Sequence, residues 1–182
     1  YTGIVSERIG RDLNWDDDDI TLQNIQARVR APGIWMLTNI RNGLLLSTSN
    51  RSEAAVGYAT MDGDTCGGVS PIAGIDKAFV CHWLRWLETS DMKGVEPIAA
   101  LSAVNALQPS AELRPDVYAQ TDENDLMPYP LLDAIEKAAI RDKRKPSDVF
   151  ALMVGQFEQY DHEVLKNWVI RFFKLWSRNQ WK

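Results

Sequence analysis

The chain has 182 residues, with 20 Lys and Arg against 25 Asp and Glu for a formal net charge of −5, and is 45% hydrophobic. Such a chain can bury roughly 70% of its unfolded surface as one compact domain, which excludes wholesale disorder, and its acidic balance gives no general attraction to nucleic acid or anionic lipid. No run approaches about 18 uninterrupted apolar residues and residues 1–19 lack an apolar signal core, so neither a membrane span nor secretion is expected. Cys66 and Cys81 match no zinc spacing and no disulfide framework, and are read as reduced thiols in a cytoplasmic protein.

The acidic run at residues 16–19 suits a solvated helix start at the positive end of the helix dipole, so helix is expected from Thr21. In TLQNIQARVR, Leu22, Ile25 and Val29 recur at helical spacing as a buried stripe, with Thr21, Asn24 and Arg28 on the other face. Pro32-Gly33 predicts a kink or break before further helix over 34–40, because proline lacks an amide donor and crowds the preceding turn. Asn42-Gly43 is a stop, and Leu44-Leu45-Leu46 reads as a short parallel strand buried on both faces. Hydroxyls and an amide crowd its exit before SEAAVGYA, a new helix. In open α/β sheets, ligands sit where strand ends meet helix N-termini, whose free N–H groups attract phosphates.

Gly57, Gly63, Gly67, Gly68 and Gly74 then surround Asp62 and Asp64 in what reads as a flexible, acid-bearing loop. Asp76 is placed to cap the helix KAFVCHWLRWLE, with Phe79, Val80, Trp83, Leu84 and Leu87 as its apolar stripe and His82 on its surface. Residues 89–129 carry four prolines and no clear period, the pattern of a long loop and a candidate lid. Helices are expected from Pro130, from Pro146 and from about Asp161, the last with Val164, Leu165, Trp168, Val169, Phe172 and Trp176 as its stripe.

Two polar constellations stand out. Glu53 and Asp64 lie close in sequence between the polar strand exit and the Gly-Asp loop, and either could serve magnesium, which takes one or two carboxylates plus ligand phosphates. Spacing alone favours the plainer reading of Glu53 as a capping-box acid. At the C-terminus, Lys166, Arg171, Lys174, Arg178 and Lys182 alternate with Trp168, Phe172, Phe173, Trp176 and Trp181. Such interleaving can hold single-stranded nucleic acid, but helical spacing puts the aromatics on the core side and the bases in solvent. No nucleic-acid partner is therefore expected.

The stretches TLQNIQARVR, LLLSTSNRSEAAVGYATMDGD, GIDKAFV, QPSAELRP and QTDENDLMPYPLLDAI, in this order, resemble the synthetase domain of NAD synthetase, particularly the glutamine-dependent type. The resemblance implies the C-terminal portion of an adenine nucleotide α-hydrolase-like (Rossmann-like) α/β domain, mostly helical with few parallel strands. It implies a two-step amidation in which ATP adenylates the nicotinate carboxylate of deamido-NAD and ammonia then displaces AMP. By position, Asn24 and Arg28 match deamido-NAD contacts, Thr48 an ATP contact, and Glu53 the acid at the magnesium and substrate site. Tyr58 lies in the adjoining substrate-contacting stretch, and Met61 stands where ammonia-dependent members have a substrate-binding lysine. Asp64 matches a loop acid near the nicotinate that could hold ammonium or take its proton. Lys77 matches an ATP-phosphate contact, Ser110 occupies an ATP-contacting threonine position, and Trp181-Lys182 match a terminal aromatic or histidine and a substrate-binding lysine.

The family's S-G-G-x-D-S pyrophosphate loop, which carries a second magnesium acid, does not occur in these residues, nor does the nitrilase-like amidase domain with its Glu-Lys-Cys site. The resemblance thus implies that residues 1–182 are the C-terminal part of a larger homo-oligomeric enzyme. Ammonia would come from glutamine hydrolysis in the other domain or from solution. The alternative is a non-catalytic segment that supplies only substrate-binding and oligomer contacts.

Overall fold

The computed structural model describes residues 1–179, which fall into two units that interleave along the chain. Trp181 and Lys182, expected from the resemblance to contact substrate, lie outside the described residues. Among the described residues the chain is mostly helical, and its only β-pairing is a parallel bridge between Leu46 and Val69. No described helix is long and apolar enough to cross a membrane.

The first unit comprises Tyr1–Ser49, Ala59–Ala73 and Ala111–Gln120. Helix α1, Thr2–Ile9, ends at Gly10, and α2 spans Asp19–Ile40. The acidic run before α2 is less solvated than expected. Arg11 grips Asp18 through two bonds of 2.6 and 2.7 Å and holds its carboxyl down at about 2, while Arg114 pairs with Asp19 at 2.8 and 2.9 Å and lowers it too. Of the kink or break expected at Pro32, the break does not form. Pro32 lies inside α2 on an exposed face, where water can serve the carbonyl that loses its amide donor, so the helix runs through.

The buried face of α2 is also not the expected one. It is formed by Ala27 and Ala31, whereas Leu22 and Ile25 are half-buried and Val29 is 45% exposed. Small side chains are needed there because the following loop comes close: a Cβ on Gly63 would stand 3.1 Å from Ala27. The Leu44-Leu45-Leu46 run pairs in parallel as read, through Ser47 N–H to the Val69 carbonyl at 2.8 Å and Gly68 N–H to the Leu45 carbonyl at 2.9 Å. It is not buried on both faces, however, since Leu44 and Leu46 are 66% and 50% exposed. One neighbouring strand covers one edge and neither face. Gly67, at φ 154, makes the pairing possible, as a Cβ there would meet the Ser47 nitrogen at 2.6 Å.

The second unit comprises Asn50–Tyr58, Gly74–Ser110 and Thr121–Lys182. It contains α3 (Arg51–Val56), α4 (Lys77–Thr89), α5 (Leu101–Asn105), α6 (Asp122–Asp125), α7 (Tyr129–Glu136), α8 (Pro146–Gln156) and α9 (His162–Arg178). A π turn, Lys137–Arg141, prolongs α7, and Pro130 stands second rather than first in that helix. Leu131, Leu132, Ile135, Val149, Met153, Leu165, Val169 and Phe172 form the core, with Trp168, Phe173 and Trp176 packed against it. The aromatics of α9 are thus core residues, and its bases turn elsewhere: Lys166 to Glu163 at 3.2 Å and Arg171 to the Asp125 carbonyl. Asp76 caps α4 as expected, but Phe79 and Trp83 on that helix are 54% and 43% exposed. Residues 89–129 carry α5, α6 and a 3-10 turn at Asp116–Tyr118 in place of a bare loop.

Candidate functional site

In the second unit the helix starts bring charged groups together. Asn50 and Glu53 form a reciprocal capping box: Glu53 N–H donates to Asn50 Oδ1 at 3.0 Å, and Asn50 N–H donates to Glu53 Oε2 at 3.3 Å. The capping reading of Glu53 is therefore right, yet it leaves Oε1 for another partner. That partner is Lys77, the first residue of α4, whose Nζ lies 3.3 Å from Glu53 Oε1 and 4.0 Å from Asp122 Oδ2. The same ammonium sits 5.7 Å from the centre of the Tyr129 ring.

Two phenols complete this cluster. Tyr129 donates to Asp122 Oδ2 and Tyr58 to Asp125 Oδ2, each at 2.7 Å. Burial pushes both phenols up, and the neighbouring carboxylates push them further, so both remain protonated donors. Asp122 is buried, and its Oδ1 has no hydrogen-bond partner among the described residues. The cluster therefore gathers two carboxylates, Glu53 and Asp122, around one ammonium, with a third at Asp125 held by Tyr58, and keeps an acceptor unused. Among the described residues no three acid, histidine or cysteine side chains converge as a metal cage. The donors such a cluster could offer to magnesium arriving on phosphates are the Glu53 carboxylate, in exchange for its present partners, and Asp122 Oδ1.

Behind these groups lies a second layer. Asp133 on α7, a buried carboxylate, accepts the Ser52 hydroxyl and, at 3.0 Å, the Ala78 N–H, while burial raises it to about 6. Arg51 reaches Asp76 at 3.0 Å and buried Glu136 at 2.9 Å. Ser110 is half-buried beside Pro109, whose carbonyl accepts the Asp122 N–H at 3.0 Å.

In the first unit, Asn24 and Arg28 stand one turn apart on α2 and both meet the Gly-Asp loop. Arg28 Nε donates to the Met61 carbonyl at 3.0 Å, and the Thr60 hydroxyl donates to Asn24 Oδ1 at 3.4 Å. Thr60 N–H donates to Asp64 Oδ1 at 2.7 Å, which fixes the loop acid next to the helix. Thr48 is exposed on the turn after the Leu46–Val69 bridge. Asn24, Arg28 and Asp64 thus assemble in one unit, and Glu53, Tyr58 and Lys77 in the other. Asp122, Asp125, Tyr129, Ser52 and Asp133 were missed as individual residues. The cap-and-acid string TDEND was the available signal for the first two.

A model of the NAD synthase family matches residues 4–174. The glutamine-dependent NAD(+) synthetase of Xanthomonas campestris pv. campestris is 37% identical over 164 residues, which cover 90% of this chain and 27% of that protein. That of Aquifex aeolicus is 39% identical over 131 residues, 72% of this chain and 22% of the relative. The chain thus spans about a quarter of the length of the curated relatives it matches. The crystal structure of a glutamine-dependent NAD(+) synthetase from Cytophaga hutchinsonii superposes on all of this chain and 27% of its own, with TM-score 0.78 and 45% identity. An NMN synthetase from Francisella tularensis, 21% identical with TM-score 0.58 over 87% of this chain and 51% of its own, shares the fold. The mostly helical architecture with sparse parallel pairing is that of the C-terminal portion of such a synthetase domain, and the chain belongs to the NAD synthase family.

Proposed function

We propose that this chain is the C-terminal part of a synthetase domain that amidates deamido-NAD to NAD at the expense of ATP. The observation that carries this reading is the Glu53–Lys77 pair, with its ammonium 3.3 Å from one carboxylate and 4.0 Å from a second. It is an arrangement suited to phosphates that arrive with magnesium. The family resemblance and the match over residues 4–174 support the substrate class.

In the first step a nicotinate carboxylate oxygen attacks the α-phosphorus of ATP, and the bond to pyrophosphate breaks with its electron pair leaving on pyrophosphate. Lys77 stabilises the phosphate charge, Glu53 would hold the magnesium, and the hydroxyls of Thr48 and Ser110 contact ATP. Magnesium, when bound, draws charge from the phosphate oxygens. In the second step ammonia attacks the acyl carbon, its proton passes to Asp64, and the carbon–oxygen bond breaks to release AMP. Asn24 and Arg28 hold the dinucleotide, Tyr58 adjoins it, and Trp181 and Lys182 are assigned to the same substrate. A carboxylate needs the adenylate because its own oxygen is a poor leaving group, so the enzyme's task is positioning and charge stabilisation. Ammonia comes from glutamine in an amidase domain or from solution. The setting we propose is a cytoplasmic homo-oligomer.

The test is oxygen transfer in the complete enzyme. With deamido-NAD labelled by oxygen-18 in its carboxylate, one label is expected in AMP and none in pyrophosphate. Label recovered in inorganic phosphate, with ADP as product, would contradict adenylation. A complete enzyme that binds both substrates without making AMP would favour the non-catalytic alternative.

A further inference from the structure

The first turn of α4 is unusual in how its amides are satisfied. Its first three N–H groups have no partner within the helix, and each is taken by a side chain from a different place. Lys77 N–H donates to Ser52 Oγ at 2.8 Å, Ala78 N–H to Asp133 Oδ2 at 3.0 Å, and Phe79 N–H to Asp76 Oδ1 at 2.7 Å. Ser52 belongs to the first turn of α3, next to Glu53, and its hydroxyl donates a hydrogen bond to Asp133 Oδ1. A single buried carboxylate on α7 therefore ties the start of α3 to the start of α4. These two starts carry the Glu53–Lys77 pair.

Two consequences follow. The N-terminus of α4 has its donors occupied by protein, so a phosphate near Lys77 is met by the ammonium and not by helix amides. Moreover, among the described residues no cation pairs with Asp133: its partners are a hydroxyl and an amide, and the charged groups around it, Asp76 and Glu136, are acids, with Arg51 engaged by both of those. A buried carboxylate without a counter-charge opposes folding, so its presence calls for a role in alignment.

We propose that Ser52 and Asp133 are positioning residues for ATP, which set the place of Lys77 relative to Glu53 by fixing the first turns of α3 and α4 to α7. This rests on reading Lys77 as an ATP-phosphate contact. The hydrogen bonds of the pair join its two members to each other and to the first two amides of α4. Its effect passes through the backbone of Lys77, and this gives it a signature that general destabilisation lacks.

The experiment is a double-mutant cycle in the complete enzyme, with Ser52→Ala, Asp133→Asn and Lys77→Met, reading KM for ATP and for deamido-NAD separately. Asp133→Asn keeps an acceptor for Ala78 N–H, so it serves if the serine variant folds poorly. Ser52→Ala and Asp133→Asn should each raise KM for ATP about tenfold while KM for deamido-NAD stays within about twofold, and neither should raise it further once Lys77 is Met. An ATP KM that stays within about twofold in both variants, while Lys77→Met raises it, overturns the proposal and leaves the reading of Lys77 standing. Equal rises in both KM values, or a full effect in the Lys77→Met background, also overturn it. If Lys77→Met itself leaves KM for ATP unchanged, the reading of Lys77 fails and the proposal with it.

Discussion

The two candidate clusters are built differently. Around Glu53 and Lys77, side chains hold side chains: an ammonium, three carboxylates and two phenols, with buried Asp133 behind them. Around Asn24, Arg28 and Asp64, side chains largely hold backbone, with Arg28 on the Met61 carbonyl and Asp64 on the Thr60 amide, and both charged residues exposed. The first construction fixes charge where water is scarce, which suits phosphate chemistry. The second shapes a loop against a helix while its charged residues keep access to solvent, which suits a dinucleotide and ammonia. Under the proposed function this contrast corresponds to a division of labour, in which Glu53 and Lys77 would handle ATP while Asn24, Arg28 and Asp64, with Tyr58, would face the acceptor.

This contrast can be broken by mutation of the complete enzyme. Glu53→Ala should have the largest effect, about a thousandfold loss of kcat/KM for NAD formation in a coupled assay, because it removes the partner of Lys77 and, with it, the acid proposed to hold magnesium. Asp64→Asn should cost about a hundredfold in ammonia-dependent turnover, as only the proton acceptor is lost. Arg28→Ala should raise KM for deamido-NAD about tenfold and leave that for ATP unchanged, measured by initial rates, since an exposed guanidinium contributes on the order of 1 kcal/mol to binding.

Stability sharpens the comparison at smaller scale. Asp133 stands at about 6 in the fold, against an ordinary value of 3.8, because burial disfavours its charge. The folded protein therefore binds this proton more tightly, so the group favours folding at low pH, and that benefit is lost as pH rises from about 4 through 6. The loss is about 3 kcal/mol. Denaturant titrations of the wild type and Asp133→Asn should show this slope in the wild type only. Gly57→Ala should destabilise by about 2 kcal/mol, since Gly57 has φ 64 and a Cβ there would lie 2.4 Å from the Asn179 side chain.

What could be read from the sequence was local. The Asn50–Glu53 box, the Asp76 cap and the Asn24/Arg28 pair depend on spacings of three or four residues, which the sequence displays directly. The remainder depends on partners far along the chain: Lys77 meets Asp122, and Ser52 meets Asp133, 81 residues away. Apolar runs misled for the same reason. Leu44-Leu45-Leu46 and the Phe79/Trp83 face look buried by pattern, but the pattern states only what could be covered. Pro32 misled in the opposite sense, because an exposed helix face tolerates a lost amide.

The most direct measurement is deamido-NAD-dependent exchange of labelled pyrophosphate into ATP, which reads the adenylation half-reaction alone. Glu53→Ala should abolish exchange, whereas Asp64→Asn should keep it within about threefold of the wild type while losing amide formation. Equal loss of exchange in both variants, or full exchange in Glu53→Ala, would contradict the division of labour between the two clusters.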